Sequence, residues 1–338
     1  MKSKIIFFIL FVLSSCTLPF INLGTDQRVL SSIEKTNNAL DIFLRDFNYQ
    51  STGDFNNPDS TELKKFRELL TIIDTGHADR FITGEFFLLE FNQKKIICLL
   101  PKKNYGQGIF CINRDSEYNH LVAAPHPVID KGSAPIAVKA FLNLSFRYLF
   151  ISSSSRCLSE NFSDCSGMTS VCGQRERYRK SDPAHNIDHY FHEFTKYHHQ
   201  QNPDSYHIQI HACGEKSCPS SKGHNILARL SVGSKDVLAT SALSNKLALV
   251  MNQHIQTSGT KVLSCNKSGE ESYRLCASTN VQGRYLNGQR ANSCTGRAST
   301  DDQSIFLHIE INHDLRNDFG DDDRFTPDFL MQSLHKIR

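Results

Sequence analysis

Apolar positions recur along this chain with two periods, and their succession predicts a helical start, a β-rich stretch and then a long α/β alternation. Between residues 27 and 48, Val29, Ile33, Leu40, Ile42, Phe43 and Phe47 follow a loose helical pattern. After the turn-rich break at 56–60, Leu63, Phe66, Leu69, Leu70 and Ile73 mark a second amphipathic helix. Short β-like runs follow at 86–91, 95–100, 109–113 and 120–124. The first three predict an antiparallel extension with Cys98 and Cys111 on neighbouring strands.

From about residue 120 strands and helices alternate. A strand at 121–124 precedes a helix opened by Ser133 and Pro135 and carrying Ile136, Ala140, Phe141 and Leu144. A strand at 148–152 leads into a long cysteine-, serine- and arginine-rich loop, 157–180. Asp182 suits a helix N-cap and Pro183 its first position. Strands at 206–212 and 226–232, a helix at 241–256 and short strands near 261–264 and 273–277 come next. A loop at 280–288, a strand at 305–311 and a helix from Thr326-Pro327 complete the pattern. Such alternation predicts an α/β fold whose mixed, mainly parallel sheet carries helices on both faces, with an N-terminal α+β extension. The expected divisions are a signal segment at 1–16, the extension at 17–119 and the α/β domain at 120–338.

Composition narrows the setting. The 338 residues suffice for a sizeable core, and with a net charge of +3 and well-mixed signs nothing suggests a polyanion partner, so no nucleic acid is expected. Lys2 and Lys4 followed by the apolar run 5–13 read as an export signal, too short to span a membrane stably. It ends in Leu13-Ser14-Ser15-Cys16, which resembles a bacterial lipobox and implies acylation of Cys16. The expected address is therefore the bacterial cell envelope, held to the membrane by an N-terminal lipid alone. Ten cysteines remain after Cys16, an even number that in an exported chain reads as a disulfide framework. The close pairs Cys98/Cys111, Cys213/Cys218 and Cys265/Cys276 are natural staples.

Histidines crowd residues 181–214, but their phase separates them. At about 100° per residue, Ile187, Tyr190, Phe191, Phe194 and His198 share one side of the helix, leaving His185, His189, His192 and His199 opposite. With the apolar side on the sheet, His189, His192 and His199 are expected to face solvent. Along the strand at 206–212, His207, Gln209 and His211 share one face, and His211 stands at the carboxyl end, where open α/β sheets bind ligands. Other strand ends offer His126, Asp130 and Arg156, and Glu310 is a carboxylate within an otherwise apolar strand. Such a set suits a catalytic zinc site: two imidazoles and a carboxylate as ligands, with a further carboxylate as base. The plainer alternatives are a loop residue for His126, a core histidine for His211 and an ion pair of Glu310 with Arg316 or Arg284.

Several segments resemble the zinc-dependent amidohydrolases related to N-formylglutamate amidohydrolase, which share a broader fold with zinc carboxypeptidases and N-acetylmuramoyl-L-alanine amidases. They are Ala124-Pro125-His126, Ser181-Asp182-Pro183-Ala184-His185-Asn186, Ile208-Gln209-Ile210-His211 and His308-Ile309-Glu310-Ile311-Asn312. The resemblance implies a zinc carboxypeptidase-like fold, Zn2+ held by His126 and His211, and Glu310 polarising the attacking water. It implies an acidic third ligand at Asp130, with Glu160 and Asp182 as the other choices. Arg156 is then expected to assist catalysis, with Arg284, Asp182 and His185 contacting substrate. Hydrolysis of an amide in a peptidoglycan-like or acyl-amino-acid substrate is the implied activity. The competing class is a non-catalytic, disulfide-stapled envelope lipoprotein that binds a partner.

Overall fold

A computed structural model of the chain describes residues 55–76, 85–91, 95–102, 107–214, 218, 225–234, 242–255, 259–265, 275–298, 304–312 and 333. The expected signal segment and the first helix lie outside these residues, as does the final helix apart from Ser333. Helix α1 is Ser60–Asp74, followed by strands β1 (Phe86–Phe91), β2 (Ile96–Pro101), β3 (Ile109–Asn113) and β4 (Tyr118–Ala124). Next come α2 (Ser133–Asn143), β5 (Phe146–Ile151), β6 (Met168–Thr169), β7 (Glu176–Arg177) and a 3-10 turn at Pro183–His185. The remainder are α3 (Tyr190–Gln201), β8 (His207–Cys213), β9 (Asn225–Ser231), α4 (Leu243–His254), β10 (Thr260–Ser264), α5 (Val281–Leu286) and β11 (Phe306–Asn312).

Among the described residues nine strands form one sheet in the order β1-β2-β3-β5-β4-β8-β11-β9-β10. Its centre, β5-β4-β8-β11, is parallel, as is the outer pair β9-β10. The β1-β2-β3-β5 side and the β9-β11 join are antiparallel. The sheet is therefore mixed rather than mainly parallel. Short connections explain the β1-β2 and β2-β3 pairs of that flank, because a few residues can reverse a strand but cannot cross over to a parallel one. The strands at 86–113 join the central sheet through β3 and β5, and the division expected at 119/120 falls inside β4.

Chain direction creates a crevice. From β4 the chain passes through α2 to β5 on one side, then through α3 to β8 on the other. The carboxyl ends of β4 and β8 thus flank a topological switch point, the usual ligand position in such sheets. His126 follows β4 by two residues and His211 lies near the end of β8.

Helix α1 begins with a capping box: Glu62 N–H donates to Asp59 Oδ1 at 2.8 Å, and Asp59 N–H to Glu62 Oε2 at 2.9 Å. Its Phe66, Leu69, Leu70 and Ile73 meet Phe110, Leu121, Ala123, Tyr148 and Phe150 of the sheet and Tyr190, Phe191, Phe194 and Tyr197 of α3. Phe150 and Phe191 stack with centroids 4.0 Å apart, which fixes α3 over β5.

The histidines of α3 correct the solvent-face expectation. His189, His192 and His199 are all buried, as is His198. The polar side of α3 is covered by α5 and the segment after it. Tyr285 meets the rings of His192 and His199 edge-on, while Ser293 and Arg290 bond the same two histidines. Residues 281–286, expected as loop, are the helix that does this covering. The helix start is also divided: Asp182 caps only the 3-10 turn, and α3 begins with His189 Nδ1 accepting from Phe191 N–H at 3.0 Å. Residues 275–277, expected as strand, are not one, because Leu275 and Ala277 take positive φ of 59° and 53°.

All ten cysteines after Cys16 are paired: Cys98–Cys111, Cys157–Cys172, Cys165–Cys294, Cys213–Cys218 and Cys265–Cys276. Cys98 and Cys111 are cross-strand partners. The two longer-range bridges fold the 157–180 loop, which also carries the β6-β7 hairpin. Five disulfides point to an oxidising, extracytoplasmic compartment. No helix among the described residues is long and apolar enough to cross a membrane.

Candidate metal centre

The backbone after β4 makes a single α-turn, with Ile129 and Asp130 N–H both donating to the His126 carbonyl, the latter at 2.7 Å. Residues four apart in such a turn lie on one side, so the His-x-x-x-Asp spacing brings both side chains together. Parallel pairing of β4 and β8 then places His211 beside them. His126 Nδ1 is 3.1 Å from His211 Nδ1, Asp130 Oδ2 is 3.2 Å from His211 Nδ1, and His126 Nδ1 is 3.5 Å from Asp130 Oδ2. All three residues are buried. Burial opposes charge on Asp130, yet the adjacent His126 and His211 hold its carboxyl well below the ordinary range. Burial lowers His211 to about 4 despite the opposing pull of Asp130.

Proton positions follow from the outer contacts. His126 Nε2 lies 2.9 Å from Asp182 Oδ1. Burial disfavours charge on Asp182, but Arg156, then His185 and His126, keep its carboxyl well below the carboxylate range, so it accepts only. His126 must therefore carry its proton on Nε2 and present a lone pair at Nδ1. Arg156 grips Asp182 Oδ2 through Nε at 2.8 Å and Nη2 at 2.5 Å, and its Nη1 lies 3.2 Å from His126 Nδ1.

On the far side of His211, parallel register sets Glu310 opposite His211 and His308 opposite Gln209. The His211 and His308 rings are 4.4 Å apart, and His308 Nε2 is 3.4 Å from Glu310 Oε1. Glu310 is thus buried at the edge of the centre, one strand from a ligand histidine. Arg229 of β9 is the next residue in the same row.

Two sets of three side chains around this point can hold a cation: His126, Asp130 and His211, or His211, His308 and Glu310. A third group, His126, Asp182 and His185, is joined by hydrogen bonds, since Asp182 Oδ1 receives both His126 Nε2 and His185 Nδ1 at 2.9 Å. Tetrahedral ligands at about 2.0–2.1 Å from a metal lie about 3.3 Å from one another, and the first set, with edges of 3.1, 3.2 and 3.5 Å, fits that triangle.

Not every residue singled out from sequence reaches this centre. Asp130 is in ligand range, Asp182 sits behind His126, and Glu160 is exposed at the surface. His185 is sandwiched between Tyr178, at 3.5 Å, and His126, at 6.4 Å, and bonds Asp182. Arg284 spends Nε and Nη1 on the carbonyls of Ser278 and Cys294, 3.0 and 2.6 Å away. Gln209, Asn280 and Gln282, which crowd behind His211, escape the sequence reading, although strand alternation places Gln209 on the His211 face. Comparison of the chain with family models, with curated proteins and with solved structures finds no match.

Proposed function

We propose that this protein is a zinc-dependent hydrolase of amide bonds, with His126, Asp130 and His211 as metal ligands. One observation carries the reading: two imidazole nitrogens and a carboxylate oxygen converge within 3.5 Å in a buried pocket. A cation at the centre of such a cluster is held by all three donors at once. Two nitrogen donors and one carboxylate suit zinc and leave a position open, as catalytic rather than structural sites do.

Zinc supplies a Lewis acid there that acidifies water and polarises an amide carbonyl. Glu310 takes the proton of the attacking water and returns it to the leaving nitrogen. Arg156 Nη1 points to the edge of the triangle and donates to the oxygen on which charge develops. Because Asp182 neutralises the rest of that guanidinium, Arg156 stays charged and oriented without repelling the cation strongly. Asp182 also holds the His126 ring in place. The oxidising compartment and the Cys16 lipobox favour a cell-envelope amide, such as a peptidoglycan stem, or an acyl-amino acid as substrate.

An amide-hydrolysis screen comparing wild type with Glu310→Gln tests this reading. Wild-type turnover lost by at least about a hundredfold in the variant is expected for a general base. Equal activity removes Glu310 from the role. No activity and no metal in the wild type leaves the stapled, non-catalytic binding protein as the better description.

A further inference from the structure

Behind His211 lies a chain of buried amides whose orientation is fixed from both ends. Gln282 Nε2 donates to the Pro183 carbonyl at 2.8 Å, so Gln282 must turn its Oε1 to Gln209, whose Nε2 donates at 3.3 Å. Independently, Gly283 N–H donates to Asn280 Oδ1 at 2.9 Å, so Asn280 must present Nδ2 to Gln209 Oε1, 2.6 Å away. A backbone carbonyl and a backbone N–H thus give the same answer: Gln209 Oε1 is the acceptor that faces His211 Nε2, at 3.2 Å. Gln209, Asn280 and Gln282 are all buried, so water offers no alternative partner.

We infer that Gln209 is a positioning residue that locks His211 in its Nε2–H tautomer, keeping the Nδ1 lone pair aimed at the cation, with Asn280 and Gln282 fixing the Gln209 amide. This rests on the metal reading above. The two ligand histidines then have unequal supports, a carboxylate (Asp182) for His126 and a neutral amide for His211. Asp130 and Glu310 already place two carboxylates beside His211, and a third would add buried like charge. An amide fixes the tautomer without that charge. It also links the two ligands, since the relay ends on Pro183, the residue following Asp182.

The test uses full-length protein with Gln209→Leu, Gln209→Glu and Gln282→Leu. Two-bond proton–nitrogen NMR of the metal-free form reads the His211 tautomer, and chelator competition reads zinc affinity. Wild type should show Nε2–H alone. Gln209→Leu should show mixed tautomers, with zinc bound about 10–100-fold more weakly. Gln209→Glu, which keeps the acceptor, should retain the single tautomer, and so should Gln282→Leu, where Asn280 still orients the Gln209 amide. If Gln209→Leu does not fold, Gln209→Met, unbranched and without the acceptor, takes its place. A single Nε2–H tautomer in Gln209→Leu or Gln209→Met overturns the inference. Wild type that binds no zinc but shows the predicted tautomers overturns the metal reading and leaves the role of Gln209 in orienting His211 intact.

Discussion

The Nδ1 atoms of His126 and His211 face each other across 3.1 Å, with Asp182 at the opposite nitrogen of one ring and Gln209 at that of the other. Two ring nitrogens at that separation, with the Asp130 carboxylate beside them, favour a cation that binds the folded state only. Zinc at a hundredfold its dissociation constant should therefore add about 2.7 kcal/mol to stability. Scanning calorimetry of chelator-treated protein should show a midpoint several degrees below that of the zinc-supplemented form, reversed by adding zinc back. An unchanged midpoint would speak against cation binding in this pocket.

Removing the Asp182 charge should be more damaging than removing either neighbour's. Its carboxylate serves His126, His185, Arg156 and the Ala184 N–H together. Asp182→Asn leaves the Arg156 guanidinium buried without its counter-charge, which costs about 3–5 kcal/mol. Denaturant titration should show that loss, and the double variant Asp182→Asn/Arg156→Met should recover part of it. Full additivity of the two changes would mean that the pair is not coupled.

The sheet positions of His126, His211 and Glu310 are legible in the sequence because each lies at a strand end marked by an apolar run. The Asp130 spacing becomes intelligible only with the turn in view. What escapes is α5. Gly283 and Gly288 with Asn280 and Asn287 read as a loop, yet Gly283 is needed because a Cβ there would lie 2.7 Å from the Phe306 ring. Without α5 the polar side of α3 has no visible cover for His192 and His199, and the Phe55 and Phe150 rings that cover His189 come from distant segments, so all three read as solvent-facing. Strand order escapes as well, since the β3-β5 join is a long-range pairing with no local signal. The stapled loop at 157–180 shows two bridges whose partners, up to 129 residues apart, spacing alone does not identify.

The close approach of Gly283 to Phe306 gives its own prediction. Gly283→Ala should push α5 away from Phe306 and cost about 1–3 kcal/mol of stability. Because α5 carries Gln282, zinc affinity should fall with it. Urea unfolding and chelator competition on the same variant check both parts, and wild-type stability would show that the ring moves aside freely.

Acid should destabilise the fold through its buried neutral histidines. Burial lowers His198 from 6.5 to about 4, against the opposing bond to the Asn119 carbonyl. His189, by burial, falls to about 3, and His192 and His207 are also lowered by burial. The unfolded chain therefore binds more protons than the folded one below about pH 6.5. For His198 stability is complete above 6.5, declines as pH falls, and levels off near 4, a loss of about 3 kcal/mol. Urea midpoints of the metal-free protein from pH 7.5 to 4.5 should fall accordingly. His198→Gln, which can still donate to Asn119, should show a shallower decline, and an identical one would contradict this origin.

The most direct test of the central claim is metal content. Wild-type protein purified under zinc-replete conditions should carry about one zinc per chain by elemental analysis, and His211→Ala should carry far less while keeping its fold by circular dichroism. Wild type free of metal, or a folded His211→Ala that retains its zinc, would contradict the assignment of His126, Asp130 and His211 as the centre.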